Sequence, residues 1–229
     1  LQDVVPGRMR ALTVTHGWTG LIAVKTRRTR ALGKSLFDRF AGAVGLALIS
    51  PLLAATAVAI RIDSPGPVFY TQTRVGQNGK PFTMWKFRSM YIDSDARRAS
   101  VVKAGGDAGN EVMFKDRQDP SITRVGSWIR RLSIDELPQL INVVRGDMSL
   151  VGPRPALPVE VAKYDAEALR RLLVKPGLTG LWQISGRSDL SWASTVALDR
   201  HYVENRGGAL DAKIFAGTLR AVIGGKGAY

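Results

Sequence analysis

The longest unbroken pattern in the chain is apolar: residues 41–60, AGAVGLALISPLLAATAVAI, carry no charge over twenty positions. Twenty helical residues at about 1.5 Å each reach about 30 Å, the thickness of a hydrocarbon layer. Ser50 and Pro51 stand at the midpoint. A proline inside a helix removes one backbone hydrogen bond and crowds the carbonyl four residues back, which kinks the chain. A neighbouring serine hydroxyl can take up the freed carbonyl. Lys34 and Arg39 precede the run and Arg61 follows it, so neither flank is distinctly the positive one. Three readings fit: a buried core helix, a kinked span, and a re-entrant helix that enters one leaflet, bends at Ser50-Pro51 and returns.

Beyond Asp63 the pattern changes. Val68 to Thr73 and Phe82 to Phe87 read as strands around the turn signal Asn78-Gly79. From Asp93 to about Asp119 the chain is polar and contains glycine, which predicts a short helix and a loop. ITRVGSWIRRLSIDELPQLINVVRG predicts two helices, with Trp128, Ile129 and Leu132 on the apolar face of the first and Leu137, Leu140, Ile141 and Val144 on that of the second. VEVAKYDAEALRRLLV reads as one amphipathic helix stopped by Pro176-Gly177. In the tail, Leu210, Ile214, Phe215, Leu219 and Val222 share a side, for core packing or for the membrane interface. The sum is an α+β fold, mostly helical, with a small β hairpin.

Composition sharpens this picture at one point. The 229 residues suffice for one large domain, but the net charge is +14. Lys25, Arg27, Arg28, Arg30, Lys34 and Arg39 lead directly into the apolar run. Basic residues beside an apolar helix suit an anionic membrane face, at about 1 kcal/mol each. Phosphate backbones attract the same charges, but the position beside the apolar run favours lipid over nucleic acid. With no cysteine, disulfides and thiolate metal sites are excluded. His16 and His201 are too few and too far apart for a histidine metal site. No secretory signal fits, because the apolar run starts only at position 41. Residues 1–33 read as a linker or the remnant of an upstream domain, residues 34–62 as the apolar helix with its basic entrance and residues 63–229 as the domain that follows it.

The strongest local chemical signal is RRLSIDELPQL. Pro138 is tolerated only in the first turn of a helix, which places the helix start near Asp135. Asp135 and Glu136 then lie where free amides and the helix dipole favour negative charge. Acidic residues at helix starts are commonly caps, and Ser133 to Glu136 has the form of a capping box. The surroundings point further. Arg130 and Arg131 precede the pair, Arg154 sits between two prolines in GDMSLVGPRP, and Lys175 and Arg187 lie among glycines in KPGLTGLWQISGRSDLSW. Guanidinium groups bind phosphate in bidentate fashion, so this set suits a phosphate-rich substrate. The glycine motifs of P-loop and dinucleotide-binding proteins are absent.

These motifs resemble those of the bacterial sugar transferases, the monotopic phosphoglycosyl transferases. The match runs in order through KSLFDR and the Ser-Pro-interrupted apolar stretch, SPGPVFYTQTRVGQNGKPF, WKFRSM, DPSITRVGSWIRRLSIDELPQLINVVRGDMSLVGPRP, KPGLTGLWQISGRSDLSW and GKGAY. The resemblance implies transfer of a sugar phosphate from a nucleotide sugar to polyprenyl phosphate through a covalent intermediate. It implies Asp135 as nucleophile, Glu136 as the second carboxylate associated with Mg2+, and Arg130, Arg154 and Arg187 as nucleotide-sugar ligands. Lys86 and Arg88 match a motif expected at the substrate. Lys34, Asp38 and Arg39 match the charged entrance to a re-entrant helix hinged at Ser50 and Pro51. It also implies a place on the cytoplasmic face of the inner membrane, against anionic lipids, with an upstream domain in longer members. The chain departs from the family where ENRGGALD replaces an ENWS-like segment. Another membrane phosphotransferase and a basic membrane- or nucleic-acid-binding scaffold are the alternatives.

Overall fold

The computed structural model describes residues 28–94, 120–186 and 190–223. Helix α1 (Arg28–Asp63) is one continuous element of 36 residues. Residues 28–33, assigned above to the linker, therefore belong to its first turns, while residues 1–27 lie outside the described part. The Ser50-Pro51 pair does not divide α1 into two helices, which corrects the expected break. The carbonyl that Pro51 leaves without an amide belongs to Ala47, and Ser50 Oγ donates to that oxygen at 2.8 Å. The helical ladder is thus satisfied where proline opens it.

Nor is α1 a buried core helix. Leu36, Phe40, Val44, Leu48 and Leu52, four residues apart, are 40–76% exposed. The opposite side carries Leu53, Ala57 and Ile60, which pack with Phe87, Ile129 and Ile134 in one core cluster. By length and composition, Leu32–Asp63 could cross a membrane.

Strands β1 (Phe69–Val75) and β2 (Pro81–Phe87) form the expected hairpin, in antiparallel register from Phe69–Phe87 to Val75–Pro81. Asn78 and Gly79 turn the chain with φ of 56° and 77°, the left-handed conformation that Asn-Gly tolerates. The predicted short helix and loop after Asp93 lie mostly outside the described residues.

Helix α2 (Arg124–Arg131) starts where Thr123 Oγ1 caps the Gly126 amide at 2.8 Å. Its Ile129 is fully buried, but Trp128 is 53% exposed, so the predicted apolar face divides between core and surface. A 3-10 helix (Ile134–Gln139) and α3 (Leu140–Arg145) follow. Asn142 fixes the hairpin to α3: its Oδ1 accepts from the Trp85 amide at 3.1 Å and its Nδ2 donates to the Thr83 carbonyl at 2.7 Å. At Gly146 (φ 89°) the Arg39 guanidinium packs so closely that a β-carbon would lie 2.1 Å from Nη2. The left-handed backbone favours glycine there, while the Arg39 tip could swing aside from a β-carbon.

A second sheet has no counterpart in the sequence pattern. Strand β3 (Ser149–Val151) runs parallel to β4 (Gly177–Thr179), and three residues are too few to display an alternation. The helix predicted over VEVAKYDAEALRRLLV is divided into α4 (Pro158–Val161), α5 (Ala166–Leu169) and a 3-10 turn (Arg170–Leu173). Asp165 ends the run by capping: its carboxylate accepts the Ala168 amide at 2.8 Å. The split still buries Val161, Tyr164, Ala168 and Leu172 against Val75 and Ala156. After α6 (Leu181–Ser185) come α7 (Trp192–Asn205) and α8 (Gly208–Ile223). On α8 the predicted stripe separates: Ile214 joins a core with Val151, Val174, Tyr202 and Val203, whereas Phe215 and Leu219 are exposed.

Candidate active site

The carboxylate pair sits on the 3-10 helix, held by Ile134, Pro138 and Gln139, all buried. Ser133 adopts a left-handed backbone and its side chain makes no cap bond. An extended N-cap is the geometry that lets a serine hydroxyl reach the helix amides, so the capping-box form of Ser133 to Glu136 is not realised. The acidic pair is therefore released from the bland role that its sequence position allows. Lys86 on β2 reaches Glu136 Oε1 at 2.7 Å, a contact that depends on the clip between Asn142 and β2. Burial pushes the Asp135 carboxyl up to about 6 and neighbouring Glu136 adds to the rise, against the pull of Lys86 and Arg130. Two carboxylates crowded together, with cations at their edge, form a site that a further positive charge would relieve.

Arg154 stands on the turn between β3 and α4. Its guanidinium meets Glu160 Oε1 at 3.4 Å and lies 5.9 Å from the centroid of the Trp182 ring, a cation–π contact. The flanking carbonyls of the turn are both taken: Gly177 N–H donates to Pro153 at 2.8 Å and Arg74 Nη1 donates to Pro155 at 3.0 Å.

Comparison with known proteins places the chain in a family. A family model described as bacterial sugar transferase matches residues 27–225. The chain belongs to the bacterial sugar transferase family. It is similar to the exopolysaccharide production protein ExoY of Rhizobium meliloti, 40% identical over 226 residues, which are 96% of this chain and 100% of the relative. It is also similar to the undecaprenyl-phosphate galactose phosphotransferase of Salmonella typhimurium, 40% identical over 205 residues, covering 89% of this chain and 43% of the relative. The undecaprenyl-phosphate glucose phosphotransferase of Komagataeibacter xylinus is 40% identical over 238 residues, covering 93% and 42%. This sugar transferase is thus an enzyme of the exopolysaccharide type.

Within the sugar transferase, the structure gathers Asp135, Glu136, Lys86 and Arg130 into one site. Arg88 is not among them. It is buried, and its Nη1 and Nη2 donate to the carbonyls of Pro65 at 2.6 Å and Ser64 at 2.8 Å, tying β2 to the exit of α1. Arg187 lies outside the described residues. Lys175 is directed elsewhere, donating to Ser35 Oγ at 2.9 Å. There it joins the fastening of α1, where Lys34 bridges Asp38 at 3.2 Å and Asp211 at 2.8 Å. Buried Asp38 accepts Ser149 Oγ at 2.6 Å and Arg39 donates to the Arg145 carbonyl at 3.3 Å. These entrance charges anchor the helix to the domain.

Sequence reasoning passed over two residues of this sugar transferase. Asn142 shows itself only as an amide among the apolar positions of LINVVR. Arg74 is an arginine on a strand otherwise of neutral residues, FYTQTRV, and is 7% exposed.

Proposed function

We propose that this chain transfers a sugar 1-phosphate from a nucleotide diphosphate sugar, a UDP-hexose, to polyprenyl phosphate, and so initiates an exopolysaccharide, capsule or other surface glycan. The observation that carries the reading is the partly buried Asp135–Glu136 pair, edged by Lys86 and Arg130. An oxygen of the Asp135 carboxylate attacks the sugar-linked phosphorus. The bond from that phosphorus to the nucleotide oxygen breaks, and UMP leaves with the electron pair. A phosphate oxygen of the polyprenyl phosphate then attacks the phosphorus held on Asp135. The Asp135–phosphorus bond breaks, the carboxylate is regenerated, and the lipid diphosphate sugar departs. Arg130 and Arg154 bind the donor's phosphates, and Arg187 is assigned to the same task. The relatives named for galactose and glucose phosphotransfer make those hexoses the first donors to try.

Asp135 and Glu136 fit a magnesium ion. Their mutual repulsion favours a cation between them, and among the described residues no group of three or more His, Cys, Asp or Glu forms an all-protein cage. One or two carboxylates completed by substrate phosphates and water is the usual holding of this ion. The ion would supply neutralisation of the diphosphate charge. Purified protein with magnesium, polyprenyl phosphate and a panel of UDP-hexoses should release UMP with at least one donor. No release across the panel by folded protein would reject the reading.

The elevated Asp135 pKa has a direct consequence for rate. Attack requires the carboxylate, which without metal is lost as pH falls through about 6; a magnesium ion held by the pair would lower that value. The kcat/KM for UMP release should therefore fall about tenfold per pH unit on an acid limb lying at or below about pH 6 and level off above it. A kcat/KM that rises as pH falls below about 6 would contradict the assignment.

We place the enzyme as a monotopic protein on the cytoplasmic face of the inner membrane, with the apolar outer side of α1 in one leaflet among anionic lipids and no nucleic acid partner. Both ends of α1 are held by the same domain: Lys34, Asp38 and Arg39 at one end, Ile60 and Asp63 at the other. Ends so held on one domain support a monotopic, re-entrant seating of α1, in which any bend at Ser50-Pro51 occurs within a continuous helix. Cysteines introduced before Lys34 and after Arg61 should both be labelled from the same face; labelling from opposite faces would overturn the placement.

A further inference from the structure

We propose that Arg74 is a positioning residue for the transfer reaction inferred above, fixing the 153–156 turn so that Arg154 is presented to the diphosphate of the donor. The inference rests on that reaction but names a residue outside its chemistry. Arg74 lies on β1 and its planar fork holds two acceptors, the Pro155 carbonyl through Nη1 at 3.0 Å and Gln72 Oε1 through Nη2 at 2.6 Å. The next residue, Val75, gives its amide to the Ala156 carbonyl at 2.9 Å. Together with the bond from Gly177 to Pro153, these contacts pin the residue before Arg154 and the two after it, so that the Arg154 side chain, which meets Glu160 and Trp182, departs from a fixed turn.

Stability alone is a poor reason for this arrangement. Arg74 is 7% exposed, no carboxylate pairs with it directly among the described residues, and its Nε has no hydrogen-bond partner. Burying a guanidinium in that condition is unfavourable. Burial is the main cause that brings its pKa down to about 10, followed by the neighbouring Arg154; Glu160, Tyr70 and Glu136 act in the opposite direction. Arg74 is therefore a buried cation fastened to the carbonyl of the residue that follows Arg154. Lysine would keep the charge but present a point donor in place of the two-pronged fork.

A double-mutant cycle tests the coupling. Arg154→Lys should lower kcat/KM for UMP release by about 100-fold and Arg74→Lys by about 30-fold, mainly through KM. If Arg74 acts through Arg154, the double variant should fall within about threefold of Arg154→Lys alone. Gln72→Ala, which frees Nη2 and leaves the buried charge in place, should lower kcat/KM by about threefold in the same direction without loss of folded protein. It decides the matter if Arg74→Lys does not fold. Losses that multiply to about 3000-fold in the double variant, or wild-type kinetics in Arg74→Lys or Gln72→Ala, would overturn the proposal. Should the wild-type protein release no UMP from any donor, the reaction fails but Arg74 can still be judged. The same cycle read on the Kd of UDP with magnesium should show the same non-additivity, and additive losses there would refute the role.

Discussion

Asp135→Asn is expected to abolish UMP release, lowering kcat by at least about 10^4-fold, while the protein remains folded and still binds the nucleotide. The amide cannot serve as the attacking oxygen anion, and no second carboxylate replaces it, because Glu136 is engaged by Lys86 at 2.7 Å. The substitution also removes the charge that burial and Glu136 disfavour, so its melting temperature should not fall below that of the wild type. A direct measurement accompanies the kinetics. Donor labelled in the sugar-linked phosphate should leave label on wild-type protein when the lipid acceptor is withheld, and none on Asp135→Asn. Retention of more than a few per cent of the wild-type rate, or equal labelling of both proteins, would exclude Asp135 as the nucleophile.

The largest expected effect on stability lies away from this site. Asp199 on α7 and Arg171 on the 3-10 turn before β4 form an ion pair with both side chains buried. Arg171 also donates to Tyr164 Oη at 2.9 Å and lies against the rings of Tyr164 and Trp192. Asp199→Ala leaves the guanidinium buried without its counter-charge. Removing one partner of a buried pair costs about 3–5 kcal/mol, which for a chain of this size lowers the melting temperature by about 10 °C. Replacing both, Asp199→Leu with Arg171→Met, should restore most of the loss, since well-packed apolar residues match or exceed a buried pair. Thermal unfolding in detergent reads both variants. A shift below about 2 °C for Asp199→Ala would show that water reaches the pair.

The hairpin was legible in the chain because it is specified locally. Asn78-Gly79 takes positive φ with little strain, so few neighbouring residues carry the information; the single helix expected from near Asp135 instead begins as a 3-10 helix at Ile134 with Pro138 in its second turn, and the α-helix starts only at Leu140. The amphipathic periods were legible as helices but not as faces. Ile129 and Trp128 are adjacent, yet one is fully buried and the other half exposed, because burial depends on what the domain places opposite. The single helix expected over residues 159–174 failed for a local reason that periodicity does not weigh, the capping carboxylate of Asp165.

The sequence by itself determined the apolar helix, its basic approach and the residues Asp135 and Glu136, since hydrophobic run, charge and motif are properties of short segments. The tertiary structure alone decided which cations serve that carboxylate pair. Lys86 reaches it from 50 residues away because Asn142 clips β2 onto α3; Arg88 and Lys175, equally basic in the sequence, are drawn off to α1 and the loop that follows it. Arg74 acquires its place only when β1 meets the turn at Pro155. Charge can be counted along a chain, but which charges meet depends on distances that only packing sets.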